Sequence, residues 1–491
     1  MRRLTLGILA PFCALSVTAA YGAVHYVDAS ALNDAGKGSQ ASPKKFLASG
    51  MALMSGNGGD TLVLAAGIYS DSKNGIARNT VVPSGKPGAY NVIKAAVDGS
   101  VLLTAALDLP LNAAYLQFEG LKWDSPLAKG IAGHHLKFLR CAFRGGPAAG
   151  NTVSLAIGTN DKTPGAQYVL IEDSWVYGPG GRYKLLVYNA EFVVLRRVVV
   201  RHDGGWSHDG RNPQGGITIY NSKDVQLQNA AVIDSDLAYS GWEAGIYLVK
   251  NTDSKTLPIH TGTRVRGSIV LNISGRAVGI EGWGRVQDAR FEDTVIWKAG
   301  DGLSLNNGTH AVAARGLTVG NVSGTAFAIW GGSETTLDVR NSIVFNSRFA
   351  FQQQAGGVTH SHNNCSKTGT CSSAGETSYD PISNGLKYLP RIEAGTPLKS
   401  AGEGRQQVGA EIVNRIGQSG SLFGEVGFEN VGSDSLWPWP YEGRLKVDLC
   451  EGGIARGMCG TSLSLTDYVW SRLGSASPVA RPIAAPEIKR P

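Results

Sequence analysis

The sequence predicts an all-β chain wound as a parallel β-helix, and two observations predict it. Short apolar stretches recur from residue 115 to residue 345, and helical periodicity is nearly absent between them. In order the stretches are YLQFEGLKW (115), HLKFLRCAF (135), YVLIEDSWV (168), FVVLRRVVV (192), VQLQNAAVI (225), TRVRGSIVL (263), ARFEDTVIW (289), VAARGLTVG (312) and TLDVRNSIVF (336). They step by roughly 20 to 38 residues, several near 24, which is the mark of stacked coils and not of a layered α/β domain. A second set lies between them. LLVYNAEFVVL (185–195) aligns without a gap on ITIYNSKDVQL (217–227), and IYLVKN, VGIEG, LSLNNG, FAIWGG and FAFQQ hold the same place later. Each coil therefore carries at least two strands around a bore of Val, Ile, Leu and Phe. A sandwich or propeller requires hairpin punctuation that the sequence lacks.

The ends complete the layout. Residues 1–23, MRRLTLGILAPFCALSVTAAYGA, place two Arg before an apolar run and small residues, the pattern of a secretory signal peptide. No later segment approaches a membrane span. Residues 24–59 form an entry strand and a short capping helix, 60–410 the solenoid, 411–473 an appendage rich in Trp and Tyr, and 474–491 a disordered-looking tail. A secreted or periplasmic protein follows. In that compartment the short Cys365–Cys371 and Cys450–Cys459 spacings read as disulfides, with Cys141 a buried free thiol. Removing the signal arginines from the net +7 leaves about +5, with no basic cluster interleaved by aromatics, so a nucleic-acid partner is not expected.

The opening YVDASALNDAGKGSQASPKKFLASGMALMSGNGGDTLVLAAGIYSD resembles that of secreted right-handed parallel β-helix proteins of the pectate-lyase-like superfamily. The resemblance covers roughly residues 25–410. It implies a single right-handed solenoid with a helical plug at its N-terminal end. It leaves the activity open, because that superfamily includes lyases, hydrolases, epimerases and non-catalytic adhesins.

Strand alternation places two columns on one outer face. One runs Gly158, Tyr188, Tyr220, Val249, Glu281, Asn306, Trp330, Gln352, and the other Ala156, Leu186, Thr218, Tyr247, Gly279, Ser304, Ala328, Ala350. Two long insertions, RHDGGWSHDGRNPQG (201–215) and DSDLAYSGWEAG (234–245), leave from the side of this face. Insertions on one side of a solenoid commonly wall its binding site. The candidate catalytic set is Arg201, His202, Asp203, His208, Asp209, Arg211 and Lys250. Tyr188, Trp206, Tyr220, Trp242, Tyr247 and Glu281 are the candidate substrate-binding residues.

A β-eliminating polysaccharide lyase fits this set best. It must neutralise a uronate carboxylate, remove the adjacent carbon-bound proton and protonate the leaving oxygen. Arg201 or Arg211 serves the first task, Lys250 or His208 the second, and Tyr220 the third. Asp234, Asp236 and Glu243 are candidate ligands for Ca²⁺. Two further readings stay open: a glycoside hydrolase or epimerase using paired Asp, and a non-catalytic glycan-binding solenoid.

Overall fold

The computed structural model describes residues 22–161, 164–207, 213–237, 243–249, 260–282, 286–306, 308–369, 371–381, 391–392 and 394–473. Among these residues nearly all regular structure is β, arranged as three long sheets in which every neighbouring pair of strands is parallel. A coil visits the sheets in a fixed order. Ala166–Glu172 lies in the first, Trp175–Tyr177 in the second and Tyr183–Tyr188 in the third, before Ala190–Arg196 stacks back on the first. The parallel β-helix expected from the sequence is the observed fold, with three strands per full coil. The short N-terminal helix Leu47–Met51 buries Leu47 and Met51 against Val27, Leu62 and Leu64, closing that end of the bore.

The turn from the first sheet to the second explains the polar pair within each repeat. Its first residue past the strand has a left-handed backbone in successive coils: Gly120, Arg140, Asp173, Arg197, Asn229, Gly267, Asp293, Gly316, Asn341 and His362, with φ between 44° and 67°. Gly, Asn and Asp are frequent there because they tolerate that region best. Hydroxyls follow in several coils. Ser174, Ser268 and Ser342 each donate back to the strand just ended and accept the N–H of a neighbouring turn. Cys141 occupies the equivalent place, which accounts for its complete burial as a free thiol.

From Trp175–Tyr177 onward the second sheet is buried on both faces. Its strands read as continuous apolar triplets, such as WVY, IVL, VIW and IVF, and do not alternate. Their outer side chains, among them Trp175, Ile233, Leu271, Trp297 and Phe345, pack against Trp437, Trp439, Leu445, Leu449, Tyr468 and Trp470 of the C-terminal segment. That segment is a strap along the solenoid. The Cys450–Cys459 disulfide lies within it, and Cys365–Cys371 closes a short loop after the last strand of the second sheet, so both expected bridges are present.

An ion cluster fastens the strap to the first sheet. Glu172 pairs with Arg196 (3.2 Å) and Arg197, all three almost fully buried. Its carboxylate also accepts from Ser419 Oγ (2.7 Å) and the Gly420 N–H (2.8 Å). Arg196 donates to the carbonyls of Gln418, Ser421 and Phe428 at 2.6–3.2 Å and to Gln228 Oε1 at 2.8 Å. Removing Arg196 takes one of two guanidinium partners from Glu172 and the donor to three carbonyls from the strap, and breaking a buried ion cluster in this way costs about 3–5 kcal/mol. Arg196→Met should therefore lower stability by that amount in denaturant unfolding and expose residues 413–435 to early proteolysis; a variant as stable as the parent contradicts this assignment.

Candidate functional site

The third sheet carries the face that the sequence singles out, and its register matches the predicted columns through most of their length. Leu186, Thr218, Tyr247, Gly279, Ser304 and Ala328 stand in one row, and Tyr188, Tyr220, Val249, Glu281 and Asn306 in the next. The last coil departs by two residues: Ala328 pairs with Gln352, not Ala350. Phe351, stacked on Phe327 with ring centroids 5.5 Å apart, faces the bore, while Phe349 is 41% exposed. The larger apolar contact sets the register there.

On this face Tyr188 and Tyr220 meet edge to face at 5.4 Å. The Tyr247 hydroxyl donates to Glu281 Oε2. Burial, followed by the charge of Glu281, holds the Tyr247 phenol well above its usual pKa. Burial likewise pushes Tyr220 up to about 12. Both are therefore proton donors near neutrality and unsuited to act as bases. Tyr183, in register with Gly215, Ala244 and Arg276, joins Tyr247 and Val249 in a small apolar cluster, and its hydroxyl donates to Gln214 at 3.3 Å.

Three buried polar atoms here have no hydrogen-bond partner among the described residues: Thr218 Oγ1, Ser304 Oγ and Arg276 Nη1. Buried polar atoms are nearly always satisfied, so three on one face mark unmet hydrogen-bonding capacity. Arg276 also lies within electrostatic reach of Tyr247. Sequence reading missed Arg276, Tyr183 and the significance of the two hydroxyls. Extending the repeat alignment upstream to residues 183, 215, 244 and 276 would have found both Tyr183 and Arg276.

The polar insertions behave differently from expectation where the structure describes them. Arg201 is fully buried, forks onto Asp203 (2.7 and 3.1 Å), and reaches the Leu449 carbonyl and Cys459 Sγ. Asp203 also accepts from Arg456 (2.6 Å) and the Gly178 N–H (2.9 Å). Trp206 is buried and donates to the Gly150 carbonyl at 2.8 Å. The structure thus gives Arg201, Asp203 and Trp206 anchoring contacts, the first two to the strap. Asp234 accepts from Tyr468 (2.6 Å), Asn272 (2.6 Å) and the Met458 N–H (2.9 Å). Asp236 is 62% exposed in its side chain and pairs with Arg456 at 3.4 Å, and Glu243 is buried. Among the described residues no group of three or more His, Cys, Asp or Glu is arranged to hold a metal ion. His208, Asp209, Arg211, Trp242 and Lys250 lie outside the described residues.

No protein-family model matches this chain, and no curated protein matches it. The solved structure titled "The complex structure of XylC with xylose" is similar over 73% of this chain and 86% of its own, at 10% identity and a TM-score of 0.50. A pectate lyase, Pel9A, aligns over 77% of this chain and 91% of its own, at 15% identity and a TM-score of 0.35. The A-module of the Azotobacter vinelandii mannuronan C-5 epimerase AlgE6 aligns over 65% and 88%, at 12% identity and a TM-score of 0.43. At such identities the likeness is one of fold. That fold is a parallel β-helix, as the three all-parallel sheets show. Among the described residues no helix is long and apolar enough to cross a membrane.

His202 yields a pH test. Its Nε2–H donates to the Gly181 carbonyl at 2.7 Å, while Nδ1 accepts the Gly204 N–H at 3.1 Å. Protonation at Nδ1 would set two donors against each other. Burial above all, then the nearby Lys184, holds the imidazole well below its usual 6.5. A depressed folded pKa gives stability that is present above about 6.5 and lost as pH falls, because the unfolded chain takes up the proton first. Unfolding midpoints should drop below pH 6.5 with a one-proton component that His202→Asn removes; identical pH profiles for the two proteins contradict the neutral assignment.

Proposed function

We propose that this chain is an exported carbohydrate-active protein that cleaves an acidic polysaccharide by β-elimination across the outer face of the third sheet. The single observation that carries the reading is the buried guanidinium of Arg276, whose Nη1 has no partner among the described residues, beside the Tyr247 phenol that donates to Glu281. Arg276 would neutralise the uronate carboxylate, so that charge developing on it after proton removal is stabilised. The carbon–oxygen bond to the leaving sugar then breaks as the double bond forms, and Tyr247 protonates the departing oxygen. Glu281 positions that phenol and keeps it protonated. The base is assigned to Lys250 and further carboxylate contact to Arg211, both outside the described residues. Tyr188 and Tyr220 would supply apolar ring surface to the sugars. The two disulfides fit an oxidising compartment, which supports export.

The paired-Asp hydrolase or epimerase draws less support, since the carboxylates of Asp203 and Asp234 are engaged by protein donors. The test is a panel of anionic and neutral glycans, with and without calcium chelator, followed by ultraviolet absorbance of unsaturated ends and by total reducing ends. Unsaturated ends from a uronate polymer are expected, and Arg276→Gln should lower kcat/KM by about 100-fold or more. Reducing ends without unsaturation would support hydrolysis instead. Binding without new ends would make the protein a glycan-binding solenoid, and sensitivity to chelator would support a role for calcium.

A further inference from the structure

The seam between strap and solenoid holds an open recess, away from the third sheet, of about 490 Å³. Asp173, Arg197, Arg415, Asn430, Asp434 and Tyr441 line it. Its volume falls within the range of small-ligand sites, about 300–1,000 Å³. Gly417 and Gly427 form part of the wall with φ of 79° and 78°, so backbone approaches the lumen without side chains between.

At the back Arg197 Nε donates to Asp173 at 2.5 Å. Arg415 Nε donates to the Ser435 carbonyl at 3.0 Å, and its guanidinium lies within electrostatic reach of Asp173 and Tyr441. Tyr441 stands at the rim, 45% exposed, with a left-handed backbone at φ 55° that an aromatic residue adopts only at a cost. The strap holds it there as the residue before the helix Glu442–Leu449.

The charges of the lining decide the ligand class. Two carboxylates, Asp173 and Asp434, offset two guanidinium groups, Arg197 and Arg415, so neither an anion nor a cation is favoured. Planar guanidinium, carboxylate and amide groups around one space suit paired hydroxyls, and an exposed phenol ring at the mouth suits the apolar face of a sugar. We propose that this recess binds a neutral saccharide unit, independently of the acidic polymer assigned to the third sheet.

Calorimetric titration of the full chain with cellotriose, maltotriose and xylotriose, with trigalacturonate as the charged control, tests this. Saturable binding of at least one neutral trisaccharide is expected, weakened roughly five- to tenfold by Tyr441→Ala and unchanged by Arg276→Gln. Asp434→Asn, at an exposed side chain, should also weaken it and serves if Tyr441→Ala unfolds. No saturable neutral binding overturns the proposal. So does binding untouched by both seam variants, or binding lost in Arg276→Gln. None of these results bears on whether the third sheet cleaves an acidic polymer.

Discussion

Each coil passes from the first sheet to the second through one residue held in the left-handed region, and the rest of the molecule depends on that constraint. Because the turn is the same length in coil after coil, strands enter both sheets in constant register. Val169, Val193 and Val225 consequently stack in the bore. The constant register then carries over to the third sheet. There Thr218, Tyr247, Gly279 and Ser304 form a column about 4.8 Å per step. Gly279 leaves that column open, since a Cβ there would meet the Tyr247 ring at 3.2 Å. The face on which Arg276, Tyr247 and Glu281 meet is thus a consequence of a backbone turn on another side of the solenoid.

The strap adds a second layer of dependence. Sheet two would expose a continuous apolar surface without it, and the strap's Ser421 carbonyl would lose its donor without Arg196. Several of the densest polar groups serve this union. Arg201, Asp203 and Asp234 all reach residues beyond 448, and none of their described contacts turns to the outer face of the third sheet. Charged residues crowded into one loop can equally mark an assembly joint or a reaction centre, and burial distinguishes the two.

Fold and site were unequally legible. The repeats at 115–345 specified the solenoid, and the row from Leu186 to Ala328 was readable because inward Val, Ile and Leu alternate strictly with outward residues in those strands. Register failed at Phe349–Gln353, where two Phe of equal apolar character left the choice of inward residue to packing. The purpose of RHDGGW could not be read, since Arg201, besides its fork onto Asp203, reaches partners some 250 residues away in a segment with no repeat. Arg276 was hidden for a different reason: it opens its strand, at the edge of the aligned window. The two disulfides were legible because each closes a short local loop.

The central claim is that the outer face of the third sheet recognises a uronate through Arg276, and a crystal structure with a bound uronate oligomer tests it most directly. A sugar carboxylate on Arg276 Nη1 is expected, with the glycosidic oxygen within hydrogen-bond reach of the Tyr247 hydroxyl. An oligomer seated on another face, or one on this face that leaves Arg276 Nη1 unengaged, would contradict it.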